Sequence, residues 1–202
     1  NLERIARILG SSDFLWEDFI KISYESFQAI FDPVKKNEAV FCEENIESSL
    51  INELKNIVDF DEKKEVINNF KNKIIFLLDL SYILGTIEQE VFSSKLTFLA
   101  ELIIAKSTAI ILEQLELDYG MPKSVAGMEG TFALFALGKF GSAELGYASD
   151  IELILVYSDS GASDGQKSIL NSEFYAKLLQ QLYVFIEAKQ DGLFQIDLRL
   201  RP

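Results

Sequence analysis

Residues 137–157 read LGKFGSAELGYASDIELILVY, and the rest of the chain is best understood from them. A glycine-rich turn leads into a short polar stretch. A strand follows that carries two acids two residues apart. Side chains at i and i+2 of a strand point to one face. Asp150 and Glu152 are therefore expected to project together, with Ile151, Leu153 and Leu155 turned into a core. Neighbouring carboxylates repel each other, and a divalent cation between them is the usual physical reason to tolerate that. The glycine turn just upstream supplies backbone N–H groups suited to a phosphate. Metal and phosphate together suggest nucleotidyl transfer.

The pattern on either side of this segment predicts the architecture. TFALFAL (131–137) is a short apolar run bounded by glycines, so a buried strand. Residues 143–147 are expected to form one helical turn, and 151–157 a second strand. MPKSVAGMEG (121–130) and SDSGASDG (158–165) read as loops. Phe174, Leu178, Leu182, Phe185 and Ile186 repeat at helical spacing. Asp191 and Gly192 form a turn before a third strand at 193–200. Residues 1–120 look helical throughout. Leu2, Ile5, Ile8 and Leu9 make one amphipathic run, and Phe14, Leu15, Phe19, Ile22 and Phe27 a second. Asp61 is expected to cap a helix carrying Val66, Phe70, Ile74, Leu77 and Leu78, which Gly85 ends. Thr86 and Gln89 suit a capping box for the next helix, apolar on two sides from about 94 to 117 and stopped by Gly120 and Pro122. The fold class is therefore α+β, with a helical domain at 1–122 and a small mixed-sheet domain at 123–202.

Composition removes several chemistries. The chain of 202 residues has no histidine, which excludes His-based triads, His metal ligands and His general bases. Its 32 acids against 19 bases give a net charge of −13, which disfavours a nucleic-acid surface. The single cysteine, Cys42, cannot form an internal disulfide, and a reducing cytoplasm fits. The apolar runs, such as 74–78, are too short to span a bilayer, so no membrane association is expected. Glu3, Arg4 and Arg7 argue against a signal peptide. The chain closes RLRP directly after a strand-like segment, so a longer protein is expected.

The third strand supplies a further acid. In LFQIDLRLRP (193–202), alternation places Asp197, Arg199 and Arg201 on one face and Ile196, Leu198 and Leu200 on the other. If this strand lies beside the Asp150 strand, Asp197 meets Asp150 and Glu152, and two metal ions would satisfy the three carboxylates. Gly138, Gly141 and Ser142 would grip phosphate with backbone amides and a hydroxyl, Lys139 would add a positive charge, and Arg199 and Arg201 would bind phosphate as bidentate donors. Each feature alone has a plainer reading. An Asp-x-Glu on a strand is commonly its solvent face, the glycines are turn formers, and the basic residues are surface charges. The case rests on their conjunction.

These two segments resemble the signatures of the glutamine synthetase adenylyltransferase/adenylyl-removing enzymes, within the DNA polymerase β-like nucleotidyltransferase superfamily. The family pattern runs roughly GKLGGRELN-x-x-SDIDLIF, with a later strand VDMRLRP. Residues 137–157 and DGLFQIDLRLRP (191–202) are similar to both, in the same order. The opening LERIARILGSSDFLWEDF is similar to the helical segment that begins the family's N-terminal half, and the stretch FLLDLSYILGTIEQEVFSSKLTFLAELII, followed by YGMP, looks like the helices that lead into its first catalytic domain. The resemblance implies Mg²⁺ or Mn²⁺ held by Asp150, Glu152 and Asp197. It implies nucleotide and phosphate contacts from Gly138, Lys139, Gly141, Ser142, Ser149, Arg199 and Arg201. The implied protein substrate is glutamine synthetase, with a PII-type signal protein acting through the rest of the chain.

In the family, one domain removes AMP from a tyrosine by phosphorolysis, giving ADP, and a second attaches AMP from ATP. The helical lead-in points to the removing half, whereas ELGY is closer to the adding half. A degenerate, regulatory nucleotide-binding module is the non-enzymatic alternative. The chain departs from the pattern at Glu152 (usually Asp), Ser142 (Gly), Ala143 (Arg) and Gly146 (Asn).

Overall fold

The computed structural model describes residues 41–146, 149–158, 160–188 and 194–201. The helices expected within 1–40 and the turn at Asp191 and Gly192 lie outside the described residues. Two compact units divide between Leu99 and Ala100. That division falls inside a helix, whereas the change from helix to strand comes at Gly120 and Pro122.

The described part of the first unit is helical. Helix α1 (Glu43–Leu54) packs on α2 (Phe60–Ile83), burying Ile46 and Leu50. Asp59, not Asp61, caps α2: its carboxylate accepts from the Glu62 N–H at 2.9 Å. Phe60 is already helical, so Asp61 falls in the first turn, where its charge complements the helix dipole instead. From Ile74 to Ser81 every residue of α2 is buried, so this end is enclosed on all sides rather than along one stripe. Gly85 ends the helix as expected, at φ +66°. Its N–H donates to the Tyr82 carbonyl and the Thr86 N–H to the Ser81 carbonyl, which is a Schellman closure. The Thr86 hydroxyl also donates to the Ser81 carbonyl at 2.8 Å. Thr86 therefore finishes α2, and the expected capping box does not form, because α3 (Gln89–Tyr119) starts only at Gln89.

The second unit begins within α3, which Gly120 ends at φ +80°. Strand β1 (Pro122–Lys123) pairs antiparallel with β4 (Ala162–Ser163), so both expected loops contain a short strand. Strand β2 (Phe132–Ala136) leads into a single turn of helix, α4 (Gly138–Gly141), and then β3 (Ile151–Tyr157). The helical turn thus comes earlier than residues 143–147, because Ala143 takes a left-handed φ of +58° that breaks the helix. Helix α5 (Asn171–Phe185) precedes β5 (Ile196–Arg201). The three-stranded sheet runs β2-β3-β5, with β2 antiparallel and β5 parallel to β3. Helices and small mixed sheets make this an α+β fold, as expected.

One face of that sheet is the core. Ile151, Leu153 and Leu155 are fully buried, as alternation predicts, and α5 covers them with Phe174, Leu178 and Leu182. Tyr175 stacks on Tyr157 with ring centres 4.9 Å apart, touches Phe132 at 5.4 Å and meets Phe174 edge-on. The other face carries exposed Phe135 and Val156. Among the described residues, no helix is long and apolar enough to cross a membrane.

The Tyr175 hydroxyl is buried with no hydrogen-bond partner, and its pKa is raised first by burial and then by the Glu116 charge. The Glu116 carboxyl is raised in turn by burial, then by Glu129 and Glu113. A raised carboxyl disfavours the folded state wherever it is ionised. The penalty is full well above the raised folded value and vanishes below the unfolded value near 4.5. Glu116→Gln should therefore raise the melting temperature at pH 7, by the equivalent of less than about 1 kcal/mol for this partly solvated group. The gain over the parent should shrink to nothing below the unfolded value, read from paired melts across pH.

Candidate active site

The site is built where the chain leaves β2, turns, and returns as β3. The Leu137 N–H donates to the Glu152 carbonyl at 2.9 Å and holds the turn against β3. Gly138 follows at φ +54°, a conformation that a residue with Cβ seldom adopts. A Cβ there would stand 2.5 Å from Glu152 Oε2, so the Glu152 carboxylate lies over the glycine. At Gly141 a Cβ would come within 2.7 Å of the Ala136 carbonyl oxygen. Both glycines thus serve close approach, one to a carboxylate and one to backbone.

The Gly141 N–H donates to the Leu137 carbonyl at 2.9 Å and the Ser142 N–H to the Gly138 carbonyl at 3.1 Å. Those two amides, expected to face phosphate, are spent inside the turn. In a helix this short the first N–H groups, Lys139 and Phe140, have no intrahelical acceptor. The Ser142 hydroxyl donates to Glu144 Oε2 at 3.1 Å, with the Lys139 carbonyl at 3.3 Å. Glu144 was not singled out from the sequence, although it is an acid inside the turn motif. Lys139, Ser142 and Glu144 are all exposed.

Ser149 is buried, and its hydroxyl oxygen accepts from the Gly146 N–H at 2.9 Å. The Ser149 N–H donates back to the Gly146 carbonyl at 3.2 Å. This pairing closes the loop that delivers Asp150, so Ser149 shapes the approach to β3. Asp150 is exposed and stands just before the strand. The Ile151 N–H then donates to the Gln195 carbonyl at 2.8 Å, which sets the register of β3 on β5.

That register places Glu152 opposite Asp197. Paired strands lie about 4.8 Å apart, so two carboxylates leave the sheet side by side at the backbone. Arg199 and Arg201 take register positions opposite Ile154 and Val156. Asp197 also borders a groove of about 450 Å³ along β5, lined with Leu179, Tyr183, Ile196 and Leu198.

The side chains do not gather into a three-carboxylate centre: among the described residues, no group of three or more His, Cys, Asp or Glu stands close enough to hold a metal. The extra methylene of Glu152 accounts for part of this, because it lets the carboxylate reach back over Gly138. The donors themselves, carboxylate oxygens on adjacent strands with Asp150 at the strand entry, fit a hard cation such as Mg²⁺ or Mn²⁺.

Comparison with known proteins places the chain in a family. A family model described as glutamate-ammonia ligase adenylyltransferase matches residues 2–202. Three relatives carry the name bifunctional glutamine synthetase adenylyltransferase/adenylyl-removing enzyme. That of Shewanella frigidimarina is 32% identical over 71% of this chain and 16% of its own length. That of Haemophilus ducreyi is 32% identical over 79% and 17%. That of Bartonella quintana is 30% identical over 100% of this chain and 20% of its own. The chain thus spans a fifth or less of the length of these relatives. On the extent of the family match and the identity to these relatives, this chain belongs to the glutamate-ammonia ligase adenylyltransferase family.

Proposed function

We propose that residues 123–202 form a polymerase β-like nucleotidyltransferase domain, that 1–122 are its helical lead-in, and that together they remove AMP from adenylylated glutamine synthetase. The observation that carries this reading is the Glu152–Asp197 register pair beside the Gly138 turn, in a chain of this family. An oxygen of hydrogen phosphate would attack the phosphorus of adenylyl-tyrosine, the phosphorus–tyrosyl oxygen bond would break, and the proton of the hydrogen phosphate would pass to the tyrosyl oxygen, giving ADP and a free tyrosine hydroxyl. Mg²⁺ or Mn²⁺, when bound, would neutralise charge that builds on the phosphoryl oxygens.

Asp150, Glu152 and Asp197 would hold the cation, with Glu152 swinging off Gly138 to do so. Lys139 and Ser142 would bind and orient phosphate from the turn. Arg199 and Arg201, on the strand that carries Asp197, would add donors for phosphate oxygens. The setting is the cytoplasm, the nucleotides are ATP and ADP, and a PII-type protein would act through the rest of the longer chain. Neither nucleic acid nor a membrane is a partner.

Transfer of AMP from ATP to the same tyrosine is the second reading, favoured by the sequence ELGY at 144–147. Incubation of the natural protein with adenylylated and unmodified glutamine synthetase separates them. ADP formed at the expense of phosphate is the expected result. Pyrophosphate release from ATP would instead mark addition. Absence of any Mg²⁺-dependent ADP or ATP binding would leave a degenerate module and overturn both.

A further inference from the structure

The turn assigned to phosphate carries its own carboxylate. Glu144 grips that turn twice. Its N–H donates to the Lys139 carbonyl at 2.8 Å, and its side chain accepts from the Ser142 hydroxyl at 3.1 Å. Ala143 sits between these contacts at φ +58°. A serine hydroxyl has one hydrogen, and an ionised carboxylate is a stronger acceptor than a neutral oxygen. While Glu144 holds that hydrogen, Ser142 does not donate to a phosphate. At the opposite end of the turn the Glu152 carboxylate covers Gly138. Lys139 thus stands on a turn with a carboxylate at each end. An anion arriving alone meets like charge on both sides.

We propose that Glu144 is a positioning residue that parks the Ser142 hydroxyl and makes entry of phosphate or a nucleoside diphosphate at this turn depend on an accompanying divalent cation. This rests on the reading of the turn as the phosphate site. A phosphate oxygen hydrogen-bonded to Ser142 would lie roughly 4–6 Å from the Glu144 carboxylate. One unit charge at that distance, in water-like surroundings, changes affinity by about threefold to sixfold. With the cation present its charge cancels the repulsion, and the Ser142 hydroxyl rotates from Glu144 to the phosphate.

Calorimetric titration of the natural full-length protein with ADP, in EDTA and in saturating Mg²⁺, tests this. Glu144→Gln keeps an acceptor for Ser142 and loses the charge. It should bind ADP in EDTA about threefold to sixfold more tightly than the parent, and within about twofold of it in Mg²⁺. Ser142→Ala should weaken binding in Mg²⁺ without gaining any in EDTA. A purely structural role for Glu144 would weaken binding in both conditions, and that result, or equal affinities in EDTA, would overturn the inference alone. A parent protein that binds no ADP even with Mg²⁺ would overturn the phosphate reading of the turn, and this inference with it.

Discussion

Asp197→Asn is expected to lower the rate of ADP formation from adenylylated glutamine synthetase by at least about a hundredfold. Partners one shell removed from a metal already cost 10–100-fold when lost, so a direct ligand should cost at least the upper end of that range. Asp197 is the informative position because the register, rather than local sequence, brings it to Glu152. It lies on β5, far along the chain from the 137–157 segment. Asn is close to Asp in size and keeps one oxygen, so strand β5 should be undisturbed. Asp197 is exposed, and the loss of one surface interaction there should cost no more than about 1 kcal/mol in stability. A normal melting curve with lost turnover would therefore locate the effect in the chemistry. The rate should be read with saturating substrate and again with raised Mg²⁺, because partial recovery at high metal is the signature of a weakened ligand set. A rate within threefold of the parent at ordinary Mg²⁺ would remove Asp197 from the site.

What the sequence could reveal divides along physical lines. Strand β3 and its buried set of Ile151, Leu153 and Leu155 were legible because alternation is local. So was Gly85 as a helix end, since a left-handed residue after a helix favours glycine. Choices between equivalent local options were not legible. Asp59 and Asp61 are both good caps, and only the start of α2 at Phe60 separates them. Strands β1 and β4 are two residues each and too short to show any period. At the site, the sequence indicated Asp150, Glu152 and Asp197 as a set; the register sets the last two opposite each other on neighbouring strands, and the three do not gather among the described residues. It could not indicate the reach of Glu152 back over Gly138 or the grip of Glu144 on Ser142, because both depend on side-chain torsions.

The carboxylate pairing survives only if β3 and β5 stay in register, and that depends on how α5 is anchored over the sheet. Gly161 is where the anchor is tightest. A Cβ there would run into the Lys123 carbonyl oxygen and come within 3.0 Å of the Ser124 carbonyl carbon. The same Lys123 carbonyl accepts from Asn171 Nδ2 at 2.9 Å, and the Asn171 N–H donates to the Gly161 carbonyl at 2.8 Å. Asn171 is buried and is the first residue of α5. One methyl group at 161 would therefore push β1 from β4 and strain both bonds that fix the start of α5.

Overpacking of this kind costs about 1–3 kcal/mol, and each buried hydrogen bond lost adds about 1 kcal/mol. Gly161→Ala should then destabilise the chain by about 3–5 kcal/mol, a large share of the 5–15 kcal/mol that holds a typical domain. The measurement is the urea midpoint at constant m-value, set against Gly127→Ala. Gly127 has a φ of +80° but open space around it, so its substitution should cost only the backbone term, about 1–2 kcal/mol. If Gly161→Ala proved no worse than Gly127→Ala, the Lys123–Asn171–Gly161 junction would not be what anchors α5. If it is worse, as expected, ADP formation should fall together with stability, because loosening α5 loosens the buried face that keeps Glu152 opposite Asp197.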